Sequence, residues 1–187
     1  CDDLIRHWFV QGDFLLTNLN LKFDLIIGNP PYVRQELIPV ALVNEYRLLY
    51  SSFYDRADLY VHCIEKFLGL LSDNGNLAFI CSDRWMKNRY GGPLRKIISE
   101  HYQLKYYVDM VDTPAFHSEV SAYPAITIFS RSKSTVTRIA HRPRIDKAEL
   151  FELATLFKTA ELPASQNIVK EVMGIAHDDE PWILESS

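Results

Sequence analysis

The sequence predicts an α/β fold, an open sheet flanked by helices and followed by a short helical extension. Three observations carry that expectation. Phe23 to Ile27 is an apolar run rich in branched residues, bounded by Gly28 and by Pro30 and Pro31, and it reads as a strand buried on both faces. Ala57 to Leu71 repeats its apolar residues at helical spacing, turns at Ser72-Asp73-Asn74-Gly75, and runs on into a second apolar strand, Asn76 to Cys81. Leu104 to Val111 and Ala125 to Ser130 then read as two further strands.

With 187 residues, 48% of them hydrophobic, the chain can bury one core and has room for one domain plus part of a second. A net charge of −4 and a pI near 5.9 exclude a generic nucleic-acid coat, so any DNA contact must come from a local basic patch. The three cysteines (Cys1, Cys63, Cys81) are odd in number and two lie inside apolar runs, which points to packed thiols in a reducing, cytoplasmic setting. No apolar run approaches membrane-spanning length, and no membrane partner is expected.

Taken in order, His7 to Val10 reads as a short strand leading into Gln11-Gly12-Asp13-Phe14-Leu15, a Gly-Asp turn with an exposed carboxylate. The strand ending at Gly28 delivers a rigid loop, because the two prolines fix φ, remove donors and force Asn29 out of the helical region. Open α/β sheets place their ligand chemistry at such strand ends. Here the loop presents the Asn29 carboxamide, prolyl carbonyls and the Tyr32 ring, a set that accepts hydrogen bonds from an amino group on a flat ring and stacks against that ring. Pro39 to Tyr50 follows as a helix with Pro39 in the first turn and Leu42, Val43, Tyr46, Leu49 and Tyr50 as its core face. The helix from Ala57 carries Tyr60, Ile64, Phe67 and Leu71 on one stripe.

Ser82 to Gly92 interleaves Arg84, Trp85, Lys87, Arg89 and Tyr90. This is either a strip that grips phosphates and stacks on bases, or a solvated loop anchored by a buried Trp85. Pro93 opens a helix to about His101, with Leu94, Ile97 and Ile98 inward. The connection from Asp112 to Pro124 is too long for a tight turn, and connections of that length are commonly functional. From Arg131 the chain turns basic through Lys133, Arg138, His141, Arg142, Arg144 and Lys147, a linker or a DNA-facing strip. The expected organisation is therefore a catalytic domain over residues 1–137 and a following region over 138–187. Two short helices are expected in the latter: Asp146 to Phe157, with Leu150, Leu153, Ala154 and Phe157 on one face, and Ser165 to Met173.

Asn29-Pro30-Pro31-Tyr32 resembles the catalytic motif of amino-group DNA methyltransferases in its adenine-type form, and Val33-Arg34-Gln35-Glu36 resembles the continuation found in adenine-specific enzymes of restriction–modification and phage-defence systems. The unit from Ala57 to Ser82 is similar to the segment after the catalytic loop in the same enzymes. The resemblance runs from Gln11 to Ser130 as ordered motifs, and order makes it more specific than any one of them. It implies a class I, Rossmann-like methyltransferase sheet, S-adenosylmethionine as cofactor, and double-stranded DNA containing a target adenine as partner. By residue, it implies catalysis by Asn29, Pro30, Pro31 and Tyr32, stacking of the target base on Tyr32 and Phe116, cofactor contacts from Asp13 and Phe14, and DNA-backbone contacts from Arg84, Lys87 and Arg89. It implies no metal.

Two parts of that family pattern are missing. The Gly-containing cofactor loop and the acidic residue ending the second strand should precede Asp13, yet no glycine occurs before Gly12 and the stretch is too short for two βα units. The chain is thus expected to be the back half of a methyltransferase domain. Its catalytic strand is then an open apolar edge, to be covered by a partner chain, a second copy or folded-back N-terminal residues. Two other readings share the motif: a protein or RNA methyltransferase, and a non-catalytic DNA-binding or assembly module with the same fold.

Overall fold

The computed structural model describes residues 8–114, 123–131 and 134–184. Among these, six strands form one mixed sheet: β1 (Phe23–Gly28), β2 (Leu71–Ser82), β3 (Gln103–Asp109), β4 (Pro124–Ser130), β5 (Val136–His141) and β6 (Val169–Met173), in the order β1-β2-β4-β3-β5-β6. β1 and β2 run parallel, so the chain between them must cross over, and it does so through helices α1 (Val40–Leu49) and α2 (Leu59–Gly69). β4 slots between β2 and β3, antiparallel to both.

α2 is apolar nearly all round, and accordingly Tyr60, Val61, His62, Cys63, Ile64 and Leu68 are all buried. It packs under the sheet against Leu77 and Phe79, which belong to the same core cluster. The expected turn at Ser72 to Gly75 survives as an excursion inside β2: Phe23 pairs with Leu71, and the next pair is Leu25 with Asn76. Gly75 is required there, because a Cβ on it would stand 2.7 Å from the Phe23 carbonyl oxygen.

After β2 come a short helix, α3 (Arg84–Lys87), and α4 (Gly92–His101), which has its Pro in the first turn and Leu94 and Ile98 buried. Gly91 joins them at a point where a Cβ would collide with the Trp85 carbonyl. Arg95 of α4 is buried and spends its guanidinium on main-chain oxygens: Nη1 donates to Trp85 and Asn88, and Nε and Nη2 to Asp179. That last contact ties the acidic tail down. Trp182, fully buried, then lies 5.4 Å from the Trp85 ring, edge to face, and its backbone N–H donates to the Met86 carbonyl.

Several expectations need correction. His7 to Val10 is not a strand over its described part: Trp8 is helical, Phe9 and Val10 are irregular, and all three are exposed, because among the described residues no strand lies beside them to bond them. β1 is not buried on both faces. Only Ile26 is covered, while Leu25 (60%) and Ile27 (74%) are open to solvent, because β1 is the edge of the described sheet and α2 shields one face only. The expected helix at Ser165 to Met173 gives way to β6, whose Val169 and Val172 suit a strand and which completes the free edge of β5. α5 (Lys147–Lys158), capped by the Asp146 carboxylate, turns Leu153, Leu156 and Phe157 inward and leaves Leu150 and Ala154 outside.

The basic stretch is likewise not a uniform strip. Arg138 sits within β5, so the sheet runs through the position expected to open a linker. Its guanidinium points inward, capping the last carbonyls of α5 (Leu156, Phe157, Thr159) and pairing with Glu171 at 2.8 Å. Arg142 and Arg144 remain on the surface in ion pairs with Asp109 and Glu149.

Burial also sets a pH response. His62 has no exposed surface; its Nδ1 shares a 2.9 Å hydrogen bond with Ser52 Oγ, and Phe53 stacks on its ring at 4.0 Å. Burial lowers its pKa from 6.5 to about 4. The unfolded chain therefore binds the extra proton first, so the stabilisation is complete above pH about 6.5 and is lost as the pH falls towards about 4. Denaturant titrations should show parent stability dropping between those limits by on the order of 3 kcal/mol more than that of His62→Gln. Equal slopes in the two proteins would remove His62 as the source.

Candidate active site

β1 ends where Gly28 approaches the Phe79 ring; a Cβ at Gly28 would lie 3.1 Å from it. The chain then leaves the sheet as Asn29-Pro30-Pro31-Tyr32, with Pro30 buried and Asn29 exposed. The Leu59 N–H, in the first turn of α2, donates to the Val33 carbonyl at 2.8 Å and clamps the loop to that helix. Tyr32 is half-exposed, and its ring lies 5.4 Å from that of Tyr60, tilted by 30°. Burial, then the nearby Cys81 thiol, push the Tyr32 hydroxyl up to about 12, against a smaller opposing effect from the Ser82 backbone. The ring thus stays neutral, with one face packed. Tyr60 itself is buried, 3.4 Å from the Tyr90 hydroxyl, and acts as the packing floor of the loop.

The Gly-Asp turn lies directly beside this loop. Gly12 takes φ +152, which suits glycine. Asp13 Oδ1 accepts from the N–H groups of Leu15 (2.8 Å) and Leu16 (3.1 Å), and the Thr17 N–H closes the turn on the Asp13 carbonyl. Asp13 Oδ2 accepts from the Tyr46 hydroxyl at 2.5 Å. The Phe14 ring stacks on Phe67 at 4.3 Å, and Phe67 meets Phe79 edge-on. Tyr50 Oη and Lys66 Nζ both donate to the Leu15 carbonyl, Lys66 Nζ also donates to that of Thr17, and the same Nζ stands 4.9 Å over the Phe14 ring.

A cavity of about 320 Å³ joins the two motifs. Asp13 and Phe14 line one part, Gly28, Asn29, Pro30 and Pro31 another, and Tyr46, Leu59, Cys63, Phe67 and Phe79 the remainder. Its size suits a small-molecule site, roughly 300–1,000 Å³. An apolar slot between aromatic rings with one carboxylate at its side matches a purine ring that carries an amino group. Burial raises the Cys63 thiol to about 12, so it lines the wall as a neutral group.

Of the expected backbone contacts, Arg84, Lys87 and Arg89 are all exposed on α3 and the turn after it. Arg84 lies 4.9 Å over the Tyr123 ring, Lys87 Nζ is 3.4 Å from Asp83 Oδ2, and Arg89 Nη2 donates to the Tyr54 hydroxyl at 3.3 Å. Trp85 is the buried anchor and offers no base a face. Phe116 lies outside the described residues. Sequence spacing alone made Tyr46 a core residue and missed its link to Asp13. The one signal was a hydroxyl on an otherwise apolar stripe.

The family model of the Eco57I restriction-modification methylases matches residues 3–116. The type II methyltransferase M.PaeR7I of Pseudomonas aeruginosa is 58% identical over 184 residues, which cover 98% of this chain and 32% of that protein. M.XhoI of Xanthomonas vasicola is 47% identical over 190 residues, covering 100% of this chain and 35% of that protein. The chain therefore spans about a third of the length of these curated relatives. Among solved structures, the type I restriction-modification methyltransferase subunit of Streptococcus thermophilus matches 86% of this chain and 37% of that subunit with a TM-score of 0.64 at 15% identity. A Listeria monocytogenes protein assigned to the class I S-adenosylmethionine-dependent methyltransferases matches 78% of this chain and 45% of its own with a TM-score of 0.57 at 14% identity. At that identity the likeness shows the fold, a class I methyltransferase sheet. With more than half of its length matched by the family model, and the expected motifs gathered in one cavity, this chain belongs to the Eco57I restriction-modification methylase family.

Proposed function

We propose that this chain is the target-base half of a DNA methyltransferase that moves a methyl group to the exocyclic amine of an adenine flipped out of duplex DNA, with the cofactor loop supplied by sequence upstream. The observation that carries this reading is the shared cavity, which sets the Asn29 loop against the Asp13–Phe14 turn. The names of the relatives, type II methyltransferases, support the reaction class.

S-adenosylmethionine, when bound, supplies an electrophilic methyl group. Asp13 would accept from the amine of its adenine ring, and Phe14, backed by Phe67, would pack against that ring. The target base is reached by extrusion, at a cost of a few kcal/mol. Tyr32 offsets part of that by stacking, worth about 1–3 kcal/mol per base, with Phe116 assigned to the other face. Arg84, Lys87 and Arg89 hold the DNA backbone beside the pocket. The exocyclic amine is a weak nucleophile while its lone pair is delocalised into the ring. Asn29 Oδ1 and the Pro30 carbonyl accept its two N–H bonds and favour the pyramidal form, in which the lone pair is free. Positioning and fixed dipoles thus carry the rate, and no covalent intermediate is needed.

Incubating the complete enzyme with radiolabelled cofactor and unmethylated duplex DNA should place the label on N6-methyladenine after nuclease digestion. Label that appears only in RNA, in protein or on another base would refute the assignment.

A further inference from the structure

We propose that Tyr46 is a positioning residue of the cofactor site: its hydroxyl fixes the Asp13 carboxylate as an acceptor for the exocyclic amine of the cofactor's adenine, and so sets the preference for an amino over an oxo group on that ring. The inference rests on the reading above that Asp13 and Phe14 form the adenine end of the site.

A carboxylate has about four acceptor positions on two oxygens. The turn itself consumes Oδ1, which accepts from Leu15 and Leu16, and Tyr46 takes one position on Oδ2. Asp13 and Tyr46 both line the cavity, and one acceptor position on Oδ2 is left over. Hinged at Oδ1 alone, the carboxylate would sweep the broad well that Asp has about its second torsion. Anchored at both oxygens, it holds the remaining position in one place, where it rewards an N–H donor and repels an oxo group.

The anchor is also separable from the scaffold. Tyr50 and Lys66 bind the carbonyls of Leu15 and Thr17, so the backbone of the turn is held without help from Tyr46. The Tyr46 ring packs 5.8 Å from Phe53, a contact that phenylalanine keeps. Burial, and after it the hydrogen bond to Asp13, keep the Tyr46 phenol well above its ordinary pKa, so it remains a donor at every working pH.

The test is calorimetric titration of the complete enzyme with S-adenosylhomocysteine and with S-inosylhomocysteine, in which oxygen replaces the amine. Tyr46→Phe should weaken the adenosyl ligand about tenfold and leave the inosyl ligand nearly unchanged, so that the ratio between them narrows. With Asp13 already replaced by asparagine, removing the hydroxyl should have little further effect, because the two residues act as one unit. Equal losses for the two ligands, unaltered adenosyl affinity, or additive losses in the double variant overturn the proposal and leave Tyr46 a structural tether. If Asp13→Asn alone changes neither affinity, the adenine end lies elsewhere; then the reading beneath the proposal has failed, and the role of Tyr46 with it.

Discussion

Asn29→Ala in the complete enzyme is expected to slow methyl transfer by about a thousandfold, the scale of losing one preorganised hydrogen-bond partner of a transition state. The loss should fall on the chemical step. Asn29 stands at the end of β1 with its side chain exposed at the cavity rim, so its removal leaves the fold and the basic residues on α3 untouched. Single-turnover rates, measured with enzyme in excess, should therefore collapse while DNA affinity, read by fluorescence anisotropy, stays near the parent value. A variant that transfers its methyl group at the parent rate would take Asn29 out of the mechanism.

The second large effect concerns the open side of β1. Leu25 and Ile27 lie exposed on an edge strand, an arrangement that invites another strand to pair with it. On the proposed reading, Asp13 and Phe14 reach only the adenine end of a cofactor. The 187 residues alone are therefore expected to show no S-adenosylmethionine binding at micromolar concentration in a calorimeter. Joining the upstream segment that the proposed reading calls for, covalently or as a complementing fragment, should restore micromolar binding and slow hydrogen exchange at the amides of Asp24 and Ile26, which alternate with those facing β2. Micromolar binding by the isolated chain would show that the cofactor site has been misplaced.

The candidate site was legible in the sequence where its signals are local. A branched apolar run stopped by Gly28 and two prolines announces a strand and its loop, and the stripe through Tyr60 and Ile64 announces the helix beneath it. Asp13 was readable as a turn residue because Gly12 stands next to it. What escaped depends on partners far along the chain. Arg138 looks like one more surface charge until the carbonyls at the end of α5 and the Glu171 carboxylate surround it. Val169 and Val172 fit a helix until the free edge of β5 offers them a ladder, since tertiary pairing overrides so weak a local preference. β1 itself read as doubly buried because its branched, apolar composition is that of an interior strand, whereas among the described residues it lies at the sheet edge.

The Trp85–Trp182 contact bears on how such a chain is made and how it can be divided. A ribosome releases Trp85 nearly a hundred residues before Trp182, so for that interval the indole and the guanidinium of Arg95 have no lid. The interior around Trp85 cannot close until the tail has emerged, and apolar surface left open in that interval is prone to aggregation. The same geometry warns anyone designing fusions or split versions. A cut near Arg138, inside the basic stretch, would pull Trp182 and the Asp179 carbonyl out of the interior and expose the core instead of separating two independent bodies.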